Sequence, residues 1–329
     1  MLTKRQNFTE TIRGGKPDRF VDQYEALGFI FGNPVQNNRR GALEIGGEIV
    51  DPWGVTIRFP PGTPGPFPVH DDEHKVIKDI TKWREQLKIP SLDFPQAAWD
   101  AAKPAAEAID RNEVFAAIML APGVFDMTHY LMGMEDALIA YYEEPEAMHE
   151  LIDAITDYEL RYAKLLCDNY HPDAIFHHDD WGSHRSTFLS PEMFREFIFP
   201  SYRKIYGYYK DHGVELIFHH SDSYAATLIE DMIDMQIDVF QGCVDTNNVP
   251  ELIRKYGGKI SFMGAINNGI VDVPDWTPKL ISDTVEQVCR DCGRHYFIPC
   301  CTAGGPGSAY PGVYEAVSSE IARMSAELF

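Results

Sequence analysis

From about residue 110 the chain alternates between two hydrophobic patterns. Short unbroken apolar runs occur at 114–120 (VFAAIML), 174–178 (AIFHH), 214–220 (VELIFHH), 237–243 (IDVFQGC), 259–266 (KISFMGAI) and 295–301 (HYFIPCC). Between them, apolar residues recur every three to four positions, over 134–165, 225–235, 250–256, 278–292 and 314–328. Runs of the first kind are buried strands and spacing of the second kind is helix. Strands that are apolar throughout, each followed by a helix, predict a parallel sheet covered by helices.

Punctuation fits this reading. Thr3-Lys4-Arg5-Gln6 has capping-box spacing, so a short helix should start there and stop at Gly14-Gly15. Ser190 should cap a helix with Pro191 in its first turn, and Pro200 should break that helix. Six strands are strong, 19–28 is a seventh, and an eighth has no clear place. Residues 32–75 are dense in Gly and Pro and read as a long ordered cap, with a small hairpin over 48–59. No G-x-G-x-x-G follows an early strand, which argues against a dinucleotide fold. The expectation is one unit over 1–329: a (β/α)8 TIM barrel whose Gly/Pro-rich N-terminal extension (1–105, with the first barrel elements) caps the mouth.

Composition narrows the function. Hydrophobic residues are 44% and charged residues 24% of the 329-residue chain, as in soluble globular proteins. Asp plus Glu number 50 against 29 Lys plus Arg, a net charge of −21 that repels nucleic acid and anionic lipid. The first residues are not a signal peptide and no apolar run is long enough to span a bilayer, so a cytoplasmic protein is expected. Six cysteines are too few for a disulfide framework.

The candidate chemistry sits at strand ends. Three strands finish in His177-His178-Asp179-Asp180, His219-His220-Ser221-Asp222 and Cys300-Cys301. A barrel gathers its active site at the carboxyl ends of its strands, so the three clusters should meet at one mouth. Strand alternation puts His220 and Asp222 on one face, where they can share a cation, and Cys301 can add a thiolate. That donor set favours Zn²⁺. The choices between His219 and His220, and between Cys300 and Cys301, stay open. Trp181, Phe218, Tyr224 and His219, beside these ligands, are candidate substrate-pocket residues. Cys289-Arg290-Asp291-Cys292 has C-x-x-C spacing without a second pair and reads as helix-end packing. Asp72-Glu73-His74 begins like a D-x-H-x-x-G corrinoid motif, but residue 77 is Ile, so the chain should carry no cobalamin of its own. Gly304-Gly305-Pro306-Gly307-Ser308 is a glycine-rich turn able to cradle an anion.

Several stretches resemble the uroporphyrinogen-decarboxylase superfamily. They are Asp179-Asp180-Trp181-Gly182, Leu189-Ser190-Pro191-Glu192-Met193-Phe194-Arg195 with Phe199-Pro200, Tyr256-Gly257-Gly258-Lys259-Ile260 with Met263-Gly264-Ala265-Ile266, and Pro311–Val317. The likeness covers roughly 110–329 and implies a (β/α)8 barrel. The arginine-rich stretch by which the decarboxylases grip porphyrinogen is missing; the corresponding region reads Asp22-Gln23-Tyr24-Glu25-Ala26-Leu27-Gly28. The resemblance is therefore to the branch of zinc-dependent, corrinoid-linked methyltransferases, similar to methoxyarene O-demethylase and methylcobamide:coenzyme M enzymes. It implies zinc on His220, Asp222 and Cys301, with Asp222 replacing a thiolate. A corrinoid (cobalamin) is expected on a separate partner protein, and Asp180 or His178 is expected to protonate the departing oxygen as general acid. The expected reaction moves a methyl group from a methylated small molecule, a methoxy-aromatic by preference, to that cob(I)amide. The rival readings are a metal-free decarboxylase using Asp180, a coenzyme M-type methyltransferase, and a non-catalytic scaffold. A monomer or homodimer is expected.

Overall fold

The computed structural model describes residues 1–40, 43–63, 65–305 and 307–329. Gly41, Pro64 and Pro306 of the glycine- and proline-rich stretches lie outside the described residues. Among the described residues ten strands form in chain order: β1 (Leu27–Phe29), β2 (Glu48–Val50), β3 (Thr56–Arg58), β4 (Phe67–Pro68), β5 (Phe115–Leu120), β6 (Ala174–His178), β7 (Leu216–His220), β8 (Val239–Cys243), β9 (Ser261–Ile266) and β10 (Phe297–Cys301). Seven of them pair in the order β1-β5-β6-β7-β8-β9-β10, every pair parallel, and β2-β3-β4 form a separate antiparallel sheet.

The parallel sheet curls into an α/β barrel. Alternate residues of its strands meet inside: Phe115, Ala117, Ala174, Phe176, Leu216, Phe218, Val239, Met263, Ile298 and Cys300 form one cluster, with Phe8 and Val21. The intervening residues face the helix layer, among them Ile118, Ile175, Ile217, Phe240 and Phe262. This two-sided burial is why these strands lack polar alternation.

The eighth strand expected from sequence does not form among the described residues, and of 19–28 only the end is strand. Between β10 and β1 the gap is crossed by Gln23. Its Oε1 accepts the Cys301 N–H at 3.3 Å and its Nε2 donates to Ser318 Oγ at 3.0 Å. The N-terminal helix Lys4–Arg13, with its Thr3–Gln6 capping box, closes the far end of the barrel. Phe8 packs against Phe115 and Phe218 at ring distances of 5.7 and 5.5 Å. Arg5 bridges Asp173 and Glu215, the residues ahead of β6 and β7.

The expected hairpin is present as β2 and β3, and Ser190 caps Pro191–Phe197 through the Met193 N–H. The helix after Ser190 breaks at Ile198 and resumes as Phe199–Asp211, with Pro200 in its first turn. No helix among the described residues is long and apolar enough to cross a membrane.

Candidate functional site

The carboxyl ends of β6 and β7 carry the site. These strands pair in register, so His177 lies beside His219 and His178 beside His220. Each strand thus presents one imidazole inward and one outward. Inside the mouth, the His178 and His220 rings are 4.5 Å apart, and His178 Nε2 is 3.3 Å from Asp180 Oδ2. His178, Asp180 and His220 each offer a ligand atom within 4.8 Å of the others.

A buried glutamine orients His220. Its Nδ1–H donates to Gln241 Oε1, because the Gln241 amide nitrogen is committed to the carbonyls of Cys301 and Thr302, at 3.4 and 3.5 Å. That network assigns the tautomer and leaves His220 Nε2 with a free lone pair. A metal-binding histidine is commonly fixed in this way, through its other ring nitrogen.

The charges at the mouth are interlocked. Burial opposes a positive His178, but the carboxylates of Asp180, Asp126 and Asp222 outweigh it and push its pKa up to about 9. Burial would raise Asp180, yet the hydrogen bond and charge of His178 hold its carboxyl well below the usual range. Burial and the charge of His178 bring His220 down to about 4. Asp222, just past β7, donates its backbone N–H to Asp180 Oδ1 at 3.1 Å. Desolvation and the charge of Asp180 push the Asp222 carboxyl up to about 7.

The adjacent Asp179 does something else. Its Oδ1 accepts the Asp126 N–H at 2.7 Å; its Oδ2 accepts from the Phe125 N–H, Trp181 Nε1 and Tyr202 Oη at 3.0, 2.9 and 2.5 Å. It thereby caps the helix Val124–Met132, which starts after Gly123. A side chain at Gly123 would sit 2.3 Å from Asp179 Cβ and 2.2 Å from Tyr202 Oη, so only glycine admits this approach. The cap aims Asp126 at the site: its Oδ2 is 3.7 Å from His178 Nε2, and its Oδ1 is 3.1 Å from His129 Nε2.

Other residues expected at the site lie elsewhere. Cys301 faces outward and packs with Phe20, Ile266, Val271, Val313 and Val317. Burial pushes its thiol up to about 12. It does not join the histidines, and the expectation of a Cys301 thiolate is corrected. Cys300 faces the barrel interior instead, with Sγ 3.9 Å from Gln23 Oε1. His219 also faces outward, bonded to Tyr206 Oη at 2.7 Å and to the Asp179 carbonyl at 3.1 Å, with Trp181 stacked on it at 3.6 Å. Both are buried wall, not pocket lining. Phe218 is fully buried beneath the mouth against Phe8. Tyr224 is half-buried, and its backbone N–H bonds the Ser183 carbonyl. Asp222 stands at the rim, outside the three-residue cluster, because β7 ends at His220 and strand alternation stops there.

The remaining motifs are quiet. Burial pushes Cys289 and Cys292 up to about 12, so neither is a ready thiolate. Asp72 is bound to Lys75 at the surface. In the 304–308 turn, Ser308 Oγ accepts the Gly305 N–H at 2.8 Å and so occupies an amide an anion would need. Sequence reasoning missed Gln241 and Asp126. A lone Gln inside an apolar run and an Asp at a helix start carry no motif.

Residues 49–304 match the uroporphyrinogen decarboxylase (URO-D) family. This chain is a member of that family. Among characterised proteins, this URO-D family member is similar to the methylated-thiol–coenzyme M methyltransferase of Methanosarcina mazei. The two are 27% identical over 175 residues, 53% of this chain and 44% of that protein, so the likeness spans less than half of the relative. Among solved structures, a methyltransferase from Methanosarcina mazei shares the fold, with a TM-score of 0.66 at 13% identity, covering 98% of this chain and 99% of that one.

Proposed function

We propose that this URO-D family member is a zinc-dependent methyltransferase. It moves a methyl group from a methylated small molecule, a methoxy-aromatic, to the cob(I)amide of a separate corrinoid protein. The observation that carries the reading is the trio His178, Asp180 and His220 at the barrel mouth, with ligand atoms within 4.8 Å of one another. The likeness to a methylated-thiol–coenzyme M methyltransferase supports the transfer chemistry.

The residues fit the metal. Two imidazoles and a carboxylate are a catalytic zinc donor set that leaves a fourth position open. Gln241 already engages the Nδ1 of His220, as such a site requires. When bound there, zinc supplies a Lewis acid for the heteroatom that loses its methyl group. Asp126 Oδ2 lies 3.7 Å from the same His178 nitrogen that faces Asp180, so a second carboxylate helps to hold that ring. Asp222 lies beside the trio without being in it and hands a proton to the departing oxygen. An ether oxygen leaves poorly without such help. Phe218, Trp181 and His219 have no contact role with the donor in this scheme.

The test is metal analysis with single-turnover methyl transfer, using cob(I)alamin as acceptor and 2-methoxyphenol as donor. Stoichiometric zinc, lost together with transfer in His220→Ala, supports the proposal. Full transfer by metal-free protein would sink it. The family match favours one second reading, a decarboxylase using Asp180 as acid and base without metal. Release of CO2 from a carboxylic acid by chelator-treated protein would establish that reading instead.

A further inference from the structure

We infer that Phe31 and Phe29 form the platform that receives the flat face of the methyl donor, which makes them specificity-determining residues. The inference rests on the methyl-transfer reading and deepens it.

Ring-to-ring contacts run unbroken from exposed Phe31 to His220, the last link passing through buried Phe176. Phe31 stacks on Phe29, with centroids 5.7 Å apart and planes at 28°. Phe29 meets Phe176 edge-on at 6.0 Å, and Phe176 lies against the His220 ring at 5.9 Å and 30°. Alternation explains the direction. Phe29 ends β1 and packs with the interior cluster, while Ile30 turns into the helix layer. Phe31, two residues beyond Phe29, therefore continues on the inward side past the strand end, where the mouth opens.

Phe31 is 58% exposed. The segment that carries it is anchored. Gln36 accepts the Gly32 N–H at 3.1 Å and donates to the Met119 carbonyl at 3.0 Å; Asn33 accepts from the Val35 and Gln36 N–H groups and from Tyr162 Oη. A ring held open to water on a fixed backbone is a preformed stacking surface, and a planar apolar ring is the ligand that covers it best. The contacts lead from Phe31 toward His220, so a ring lying against Phe31 sits on the side of the mouth from which the trio is approached. A thiol or alcohol of one or two carbons is too small to use both surfaces.

The experiment is calorimetric titration of the purified full chain with 2-methoxyphenol and, separately, dimethyl sulfide. The wild type should bind 2-methoxyphenol, and Phe31→Ala should bind it about 3- to 10-fold more weakly. Phe31→Tyr should restore the affinity, and zinc content should be unchanged in both variants. Because Phe31 is mostly exposed, its replacement leaves the fold intact. Equal binding by wild type and Phe31→Ala, or no binding of 2-methoxyphenol at all, overturns the platform. The two readings fail separately. Transfer from dimethyl sulfide without arene binding sinks the platform and keeps the methyltransferase. Phe31-dependent arene binding without any transfer shows an aromatic-binding surface, sinks the methyltransferase, and with it removes the bound ring's role as methyl donor.

Discussion

Gln241 Oε1 holds His220 by Nδ1 and leaves Nε2 of that ring free. Replacing Gln241 with Met keeps the volume but removes the acceptor, and the ring becomes free to change tautomer. Zinc affinity should fall about 10- to 100-fold while the circular dichroism spectrum stays that of wild type. Competition against a chromophoric chelator measures this. An unchanged affinity would mean that the trio does not bind the metal through His220 Nε2.

Asp179 and Asp180 are neighbours with separable losses. Asp179→Ala strands four donors, two backbone amides at the start of the helix Val124–Met132 and the side chains of Trp181 and Tyr202, and should destabilise the protein by about 3 to 5 kcal/mol. Asp180→Ala removes the His178 partner and one backbone acceptor, should cost less stability than Asp179→Ala, and should abolish zinc binding. Urea unfolding and metal analysis of the two variants would show the crossed pattern; matching losses in both would refute the division.

Cys301 sits behind the barrel wall, so Cys301→Ala should retain full zinc content and lose only about 1 kcal/mol. A metal-free Cys301→Ala protein with normal stability would restore the sulfur to the ligand set.

Stability should fall as pH rises through the range of Glu159. This buried carboxyl on the helix Pro145–Tyr170 is pushed up from 4.5 to about 7, by burial and the charge of Asp179 against the opposing pull of Arg39. The folded protein therefore binds more protons than the unfolded chain between these values. The contribution is complete below about pH 4.5 and lost above about pH 7, a change of about 3 kcal/mol. Glu159→Gln should flatten that slope in urea titrations at pH 5 and pH 8. A slope identical to wild type would show that Glu159 ionises normally in the folded chain.

The strands and their helices were legible because unbroken apolar runs and capping residues leave few alternatives. The clusters at the ends of β6 and β7 were legible for the same reason, since polar residues finishing apolar strands must go to the mouth. Which member of each doublet faces inward was not. In His177-His178, His219-His220 and Cys300-Cys301 the two residues are identical, and the strands are apolar on both sides. Alternation then gives a period without a phase. For Cys301 the phase taken was the wrong one, and for His220 the inward one. β1 has three residues and Gln23 closes the barrel by its side chain, so neither leaves a periodic trace.

The clamp made by Arg5 sits at the opposite end of the sheet from the site. Its guanidinium ties together Asp173 and Glu215, the feet of the two strands whose tips carry His178 and His220. The strands pair without a break from Ala174 with Leu216 up to His178 with His220, so their own ladder sets the spacing of the imidazoles. A neutral residue at position 5 would leave two like charges side by side at the feet, and that end would fray while the tips stayed zipped.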